Sequence, residues 1–398
     1  MEMKVHVQTK EELDATKIIE FIDGCKDGKI AIVHSSVKDE NDFRNFFEYL
    51  VENLKLPFVG MRVSGTITPE EGYIEDAVAV AVLCGDFEVD VFSEEIDFDD
   101  PQKTVDKTIP KLEGKDLCIV YSANYCRQDI FLDFILRRVQ DKYPEMQILG
   151  GVSAPEPVVV TSEGISEKDI VCIGISGLEY DFELYSGFEF DPKSDDVFTV
   201  TKSDDFYIRE INGKIASEEY SKIQHVRPYM LNMITKYILS KSDISKAADS
   251  LYKMGDMIPS AMPKVVTNLL GDELENGQVE AIAVLEMGED RDDYVVFPSY
   301  KPEGKVLKRT MSFKEDHLNV YDKACERYRD SKAMLMVACS IIQFYIDFDF
   351  GSVAKRLKKL KCPYMVSFTF GEFGATLPYK GLEQNVVNGV TVKVVGFK

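Results

Sequence analysis

Apolar runs alternate with amphipathic segments along this chain, and the clearest example spans residues 334–375. Residues 334–338 are all apolar, which is typical of a strand buried on both faces, and the run stops at the small side chain of Cys339. An amphipathic helix follows, with lysines on its polar face. Residues 363–370 then read as a second strand that breaks at the glycine turn 371–374. The pattern predicts a strand-helix-strand module.

The same arrangement occurs twice more, over residues 30–65 and 117–154. We interpret the three segments as versions of one module, because the second strand of each leads to a glycine-rich turn or to a small residue at that place. Any α/β chain contains strand-helix-strand units of this length, so the interpretation as a repeat depends on the shared glycine-rich turns. The following residues are predicted to be equivalent: Ser35, Ser122 and Cys339 at the first strand's end, and Gly60, Gly150 and Ser367 at the turn.

Between the modules the pattern predicts further strands and one helical stretch. Residues 77–84 and 87–92 read as a hairpin through Gly85-Asp86, and residues 158–211 as a succession of strands. Residues 228–270 are Met-rich, helical and interrupted by prolines, which indicates a domain junction. The predicted fold class is α/β of a mixed α+β type, with two related sheet-plus-helix halves built from the repeated modules.

Charge limits the classes of partner. The 398 residues include 69 acidic and 47 basic side chains, a net charge of -22. Such a surface repels nucleic-acid backbones and anionic lipid, so neither is an expected partner. The one basic run, residues 355–361, alternates with a helix's apolar stripe, and a solvated helix face explains it more simply than an anion site.

Location and redox state follow from other features. The first residues carry early acidic side chains and no apolar core, unlike a secretory signal. No apolar run approaches the roughly 18 residues needed to span a bilayer. Eight cysteines are scattered without a C-x-x-C pair, which favours reduced thiols over disulfides or a zinc site. The sequence predicts a cytoplasmic protein.

Small polar residues at the predicted strand ends are the candidate ligand-binding groups. Hydroxyl, amide and thiol groups there can hydrogen-bond a polar ligand, while an arginine can grip a carboxylate and a glutamate an ammonium. Turn formation or helix capping would explain the same residue types. The candidates suit a zwitterion: Ser35, Ser122, Asn124 and Cys339 at strand ends, Arg62 and Arg127 for a carboxylate, and Glu372 for an ammonium.

Several short motifs follow one another along the chain. Residues 186–220 contain Gly187, a Val-Thr-Lys strand at 200–202, Ile-Asn-Gly at 211–213, Ala216 and Tyr220. Glycine turns occur at Val59-Gly60 with Ser64-Gly65 and at Leu149-Gly150-Gly151, and Cys339 is followed later by Gly371-Glu372. Together these motifs resemble the FIST (F-box and intracellular signal transduction) N and C domains: the first set their junction, the turns the two glycine turns of the family, and the last residues the cysteine and Gly-Glu pair of the C domain.

The resemblance implies domains at 1–215 and 216–398, and Ser64 joins the candidate ligand residues. The chain differs from the family pattern at three places. It has Thr66 instead of an acid after the first turn, Ser367 instead of a glycine before the Gly-Glu pair, and no arginine shortly after Cys339. FIST domains are regarded as intracellular sensory modules that bind small ligands, with amino acids proposed. The resemblance therefore implies a stand-alone, non-catalytic sensor of an amino acid or related metabolite, acting through a signalling partner.

Two alternatives remain open at the level of sequence. Some family members bind haem, for which His34, His225 or His317 would supply the axial ligand, although no cofactor is otherwise expected. Cys339 with His34 could make a thiolate nucleophile for a hydrolase or transferase if the two met. No nucleophile-elbow, Walker or dinucleotide motif supports an enzyme, and no metal-ligand cluster is visible.

Overall fold

The computed structural model describes residues 1–97, 99–123, 128–153, 158–204, 207–224, 269–274, 277–282, 286–287, 295–296, 301–374, 386–388 and 390–398. It confirms the predicted mixed α/β class. Asn124, Arg127, His225 and almost all of the predicted junction 228–270 lie outside the described residues. No helix in the described ranges is long and apolar enough to cross a membrane.

The first two of three similar structural copies follow one another along the chain. Copy one contains β1 (Glu2–Thr9), α1 (Ala15–Asp23), β2 (Gly28–Ser35), α2 (Glu40–Asn53), β3 (Phe58–Arg62), β4 (Thr66–Thr68), β5 (Gly72–Ile74) and β6 (Ala77–Cys84). Copy two contains β7 (Glu88–Glu95), α3 (Pro101–Thr108), β8 (Leu117–Ser122), α4 (Gln128–Lys142), β9 (Gln147–Val152), β10 (Val159–Thr161), β11 (Gly164–Ser166) and β12 (Asp169–Ser176). Short 3-10 turns lie at Lys10–Glu12 and Ile109–Leu112.

Copy three begins with β13 (Tyr180–Tyr185) and is then interrupted by an inserted segment, residues 189–311. The insertion contains β14 (Glu189–Phe190), β15 (Val197–Asp204), β16 (Tyr207–Ile211), β17 (Lys214–Ile215), α5 (Ala216–Gln224), β18 (Leu270–Glu273), β19 (Val279–Ile282), β20 (Glu286–Met287), β21 (Val295–Val296) and β22 (Val306–Met311). The copy resumes with α6 (Lys314–Arg327), β23 (Ala333–Cys339), α7 (Ile342–Tyr345), α8 (Phe350–Leu357), β24 (Tyr364–Gly374), β25 (Val386–Asn388) and β26 (Val392–Phe397).

Strand order shows that the three copies have one topology. The orders are β1-β6-β2-β3, β7-β12-β8-β9 and β13-β26-β23-β24. In each copy the third and fourth strands of this order are parallel, and the other neighbours are antiparallel. The three parallel pairs are the three predicted strand-helix-strand modules, so that prediction is confirmed.

Short hairpins join the copies into a closed ring. The hairpin β4–β5 of copy one pairs with β24 of copy three, and β10–β11 of copy two pairs with β3 of copy one. The end of β24 forms a hairpin with β25 and pairs on its other side with β9 of copy two. In each copy a hairpin therefore pairs with the fourth strand of a neighbouring copy. Three such head-to-tail contacts close into a ring with pseudo-threefold topology.

Alternation of side chains along the strands divides the core into layers. Ile30, Leu117 and Leu335 belong to one central cluster to which all three copies contribute. The opposite strand faces pack against helices: α1 and α2 in copy one, α3 and α4 in copy two, and α6 and α8 in copy three. The central cluster is therefore the inner face of the ring, and the helices cover the outside.

The predicted equivalence of Ser35, Ser122 and Cys339 is wrong by one residue. The residue after Ser35 donates its N–H to Ala77 O at 2.8 Å, and the residue after Ser122 makes the same bond to Asp169 O at 2.9 Å. In copy three the donor of this bond is Cys339 itself, to Thr391 O at 3.0 Å. Ala338 is therefore the equivalent of the two serines, and a slip of one residue changes the face to which a side chain points.

The hairpin predicted from Gly85-Asp86 is also wrong. β6 pairs with β1 on one side and β2 on the other, so it has no free edge for β7. β7 pairs instead with β12 of its own copy. Gly85, at φ +136°, turns the chain between copies instead of closing a hairpin.

The insertion forms a sheet of its own, in the order β19-β18-β22-β15-β16-β21-β20. Asp272 and Glu280 lie opposite each other on β18 and β19, and both are buried with Lys301. The Lys301 ammonium lies 3.1 Å from Asp272 Oδ2, which also binds Lys305 at 2.9 Å. Strands on both sides of residue 215 share this sheet, and the domain boundary at 215 stays a prediction.

Candidate functional site

The inner face of the ring becomes polar toward the carboxyl ends of the parallel strands, where ligands bind in many α/β proteins. His34 of copy one and Tyr121 of copy two lie at equivalent inner positions, opposite Ala79 and Val171 of the neighbouring strands. Their equivalent in copy three is Val337. The two polar rings meet across the ring of copies, with centroids 5.1 Å apart in an edge-on arrangement.

His34 joins copies one and three through a hydrogen bond. Its Nδ1 lies 2.5 Å from the Ser367 hydroxyl of β24. The other ring nitrogen, Nε2, is buried and has no hydrogen-bond partner in the described part of the chain. Complete burial lowers the pKa of His34 to about 3, so the imidazole is neutral at neutral pH. A neutral imidazole has one donor and one acceptor nitrogen, so Nε2 is available to a further polar group.

Two residues beside this pair extend the polar region. Lys393 is fully buried and lies opposite Val337 in the row of strands that also contains Ser367. Fully buried lysines are rare. Thr391 lies two residues earlier, so alternation places it on the same face, and its hydroxyl is buried with no partner among the described residues. We call His34, Tyr121, Ser367, Thr391 and Lys393 the central polar cluster.

A second polar contact joins copies one and three just outside the central polar cluster. The hydroxyl oxygens of Ser64 and Ser340 are 2.7 Å apart, and the Gln343 amide donates to Ser64 Oγ at 2.9 Å. Ser64 also donates its N–H to Phe368 O at 3.0 Å. Ser64 is thus a predicted site residue that the structure places at a junction between copies.

The other described candidates from copies one and two point away from the cluster. Ser35 Oγ accepts the Val37 N–H at 3.3 Å, and Ser122 Oγ donates to Ala123 O at 3.4 Å, so both hydroxyls serve local backbone. Both serines alternate with outer-face residues that pack on helices. They belong to turns on the outer face of the strands and do not line the ring's interior.

Arg62 also lies on the outer face, beside Ser35 in the β2–β3 pair. Its guanidinium donates to Glu40 Oε2 at 2.8 Å and lies 4.0 Å from the ring centroid of Phe43. Both partners belong to α2. The predicted carboxylate clamp is therefore occupied by a carboxylate of the protein itself.

The remaining candidate residues lie only partly within the described structure. Cys339 is buried among the residues that follow β23, in a cluster with Ile342 and Ile346. The backbone of Glu372 lies opposite Gly151 in the β24–β9 pair, while its side chain is outside the described part. Asn124 and Arg127 lie outside the described residues, as stated above.

The sequence interpretation missed most of the central polar cluster. Lys393 stands alone in the apolar strand VKVVGF, and a charged residue inside an apolar strand is a usable signal of a special site. Ser367 was noted only as a departure from glycine. Tyr121 and Thr391 have residue types that occur in any strand or turn, so nothing in the sequence distinguishes them.

Haem does not fit at His34, because Ser367 and Tyr121 enclose its ring and the residue is only 1% exposed. His317 stacks on Tyr345 at a centroid distance of 4.6 Å and keeps an Nε2 without a partner in the described residues. Burial lowers the pKa of His317 to about 4. Among the described residues, no group of three or more His, Cys, Asp or Glu could hold a metal ion.

Comparison with known proteins identifies one domain of the chain. A search of curated proteins found no match to it. Residues 29–214 match the model of the FIST N domain. The match begins at β2 and continues through copy two into the inserted sheet, so it includes the predicted glycine turns at Gly60 and Gly150. The matched segment, 186 of the 398 residues, is therefore a FIST N domain, and FIST domains are sensory domains of signal transduction.

Proposed function

We propose that this protein is a non-catalytic sensor that binds a small polar metabolite, an amino acid or a related compound, at the central polar cluster. It needs no cofactor, works in the cytoplasm and signals through a protein partner. One observation carries the proposal: His34 Nε2 and the Thr391 hydroxyl are buried at the same end of the ring and have no partner in the described chain.

An unpartnered buried polar group costs about 1–3 kcal/mol, so two of them on one inner face are expensive unless a ligand completes them. The imidazole of His34 can donate or accept at Nε2, and the hydroxyl of Thr391 can do either. The buried side chain of Lys393 lies on the same face and has a contact of its own, so it helps to shape the site and is not counted as a free cation. An amino acid combines a carboxylate with further polar groups.

The contact between Ser367 and His34 resembles a nucleophile and its base, but it favours binding over catalysis. The Ser367 hydroxyl lies against His34 Nδ1, whereas the ligand is proposed to bind on the Nε2 side of the ring. A catalytic histidine also needs a group that orients its second nitrogen, and His34 Nε2 lacks one in the described residues. Cys339 is buried and lies outside this contact.

The first test is a thermal-shift screen of the full chain against amino acids and small carboxylates, with mass spectrometry of any compound that co-purifies. A ligand at a hundred times its Kd stabilises the native state by about 2.7 kcal/mol, which gives a clear shift. Haem is included in the screen, and a Soret band after reconstitution would favour the haem alternative instead. A screen without any shift, together with no co-purifying compound, contradicts the proposal.

A matched pair of variants then tests the site. Thr391→Val and Tyr364→Phe each remove a buried hydroxyl that has no partner in the described chain, and Tyr364 lies at the far, amino-terminal end of β24. Neither should lower stability, because no hydrogen bond is lost. Thr391→Val should weaken ligand binding about tenfold, because it removes one hydrogen bond to the ligand of ~1.4 kcal/mol. Tyr364→Phe should bind the ligand as the parent does. If both variants change ligand affinity equally, the ligand does not bind at the central polar cluster.

A further inference from the structure

A cavity lies on the outside of the ring, where the hairpin β4–β5 of copy one rests on α8 of copy three. It has a volume of about 560 Å³, which is within the usual range for small-molecule sites. Gly72 on the hairpin and Ala354 on α8 approach closely at its base, so that a Cβ added to Gly72 would lie 3.6 Å from that of Ala354. We call this cavity the junction groove.

Aromatic rings form one wall of the junction groove. Tyr73 of the hairpin stacks on Phe350 with ring centroids 3.5 Å apart, and Phe348 meets Phe350 edge-on at 6.2 Å. Phe348 and the preceding Asp347 both have positive φ angles, 56° and 52°. A bulky residue in this conformation costs on the order of 1 kcal/mol, so the backbone holds the Phe348 ring at the groove under strain.

Three of the four charged side chains that line the groove have no ion-pair partner in the described part of the chain. Lys355 on the last turn of α8 and Lys358, which caps the helix, are three residues apart and both line the groove, and neither forms an ion pair in the described part of the chain. Glu71 of the hairpin also lines the groove without a described ion-pair partner, whereas Asp349 is bound to Lys314 at 3.1 Å. The two ammonium groups are therefore available to an anionic group at this rim.

The ring provides an internal comparison, because copy two docks its hairpin on copy one in the same way. There Arg44 of α2 binds Glu167, next to the hairpin β10–β11, at 2.6 Å, and also binds Glu40 of its own helix. Ile165 of that hairpin packs into the helix-covered core. The equivalent junction is thus closed by an ion pair and an aliphatic side chain, while the junction groove keeps aromatic rings and free lysines.

We propose that the junction groove binds a planar aromatic molecule that carries a carboxylate or a phosphate. The rings of Tyr73 and Phe348 supply flat apolar surface for the aromatic part. Lys355 and Lys358 together supply the positive charge that the anionic group needs against the acidic remainder of the protein. This site is separate from the central polar cluster, and it stands or falls independently of the proposed sensor function.

Indole-3-acetate is the probe for the carboxylate form. The chain contains no tryptophan, so the indole can be excited where the protein's tyrosines scarcely absorb, and its anisotropy reports binding. We expect anisotropy to rise with protein concentration, and the double variant Lys355→Gln/Lys358→Gln to weaken binding about tenfold. Phe348→Gly should weaken it too, with a smaller loss of stability than removal of an aromatic ring normally causes, because glycine adopts positive φ without strain and so offsets part of the lost packing on Phe350.

Lys361→Gln is the matched control, because Lys361 is exposed in the same basic run but does not line the groove. It should bind the probe as the parent does. The neutral analogue tryptophol should bind about tenfold more weakly than indole-3-acetate. Adenosine 5′-monophosphate that displaces the probe, where adenosine does not, would extend the site to phosphates. Equal binding by the parent and the double lysine variant, or by tryptophol and indole-3-acetate, overturns the proposal.

Discussion

Burial of His34 makes a definite prediction about stability and pH. The folded state holds its imidazole neutral, with a pKa of about 3 against the ordinary 6.5, because burial disfavours the charged form. The unfolded chain therefore binds a proton as the pH falls below about 6.5, while the folded chain does not until about pH 3. Stability is fully present above the unfolded pKa and is lost as the pH falls through this window.

The size of the effect follows from the two pKa values. Once both states are protonated, the difference amounts to about 5 kcal/mol, and at about pH 5 it already reaches roughly 2 kcal/mol. His317, whose pKa is lowered to about 4, adds roughly 2 kcal/mol at the same pH. Carboxylates titrate mainly below this range, so the loss between about pH 8 and pH 5 reports chiefly on these histidines.

The assay is urea denaturation of the full chain at several pH values between about 8 and 5. His34→Gln keeps a polar group opposite Ser367 but removes the titration, so its stability should fall by roughly 2 kcal/mol less than that of the parent over the window. His6→Gln is the control, because His6 stacks on Phe21 at the half-exposed surface of β1. A pH dependence unchanged in His34→Gln would refute the inference that His34 folds in neutral form.

Three further variants test the packing and charge arguments by the free energy of unfolding in urea. Gly60→Ala would place a Cβ 2.4 Å from Phe47 Cε1, so we expect a loss of about 1–3 kcal/mol, which Phe47→Leu in the same chain should partly restore. Arg62→Met should lower the free energy of unfolding by only about 1 kcal/mol, because its partner Glu40 is half-exposed and stays hydrated. A loss above about 3 kcal/mol would mean that the guanidinium makes stabilising contacts beyond this ion pair. Asp272→Asn removes a carboxylate that serves two lysines and should cost about 3–5 kcal/mol, and a neutral outcome would show that the charge cluster is not needed for stability.

Periodicity predicted the modules because burial on both faces leaves a strong signal. The strands β2, β8 and β23 are apolar along their whole length, and each is followed by a segment with helical spacing. Periodicity could not predict which residue of copy three matches Ser35. Small residues occur at both Ala338 and Cys339, so the sequence contains nothing that fixes the register, whereas the hydrogen bond to Thr391 O does.

Long-range pairing was the other limit. Gly85-Asp86 has the local chemistry of a hairpin turn, but pairing partners depend on which strand edges are already occupied. Both edges of β6 already pair with strands from much earlier in the sequence, β1 on one side and β2 on the other. For the same reason the pattern indicates a junction at residues 228–270 but does not show that residues 189–311 are an insertion. Only the pairing of β13 with β26 shows that the segments on either side of them belong to one copy.

Departure from the repeat is what marks the candidate site. A ring of three identical copies would place the same residue three times around its centre, and the aliphatic inner face largely follows that rule. Near the carboxyl ends it fails: Lys393 replaces residues that are apolar in the other copies, and His34 and Tyr121 stand where copy three has Val337. Packing alone would favour apolar residues at all these positions. The polar ones therefore need a reason that the repeat does not share, and the ligand that we propose at one end of the ring would supply it.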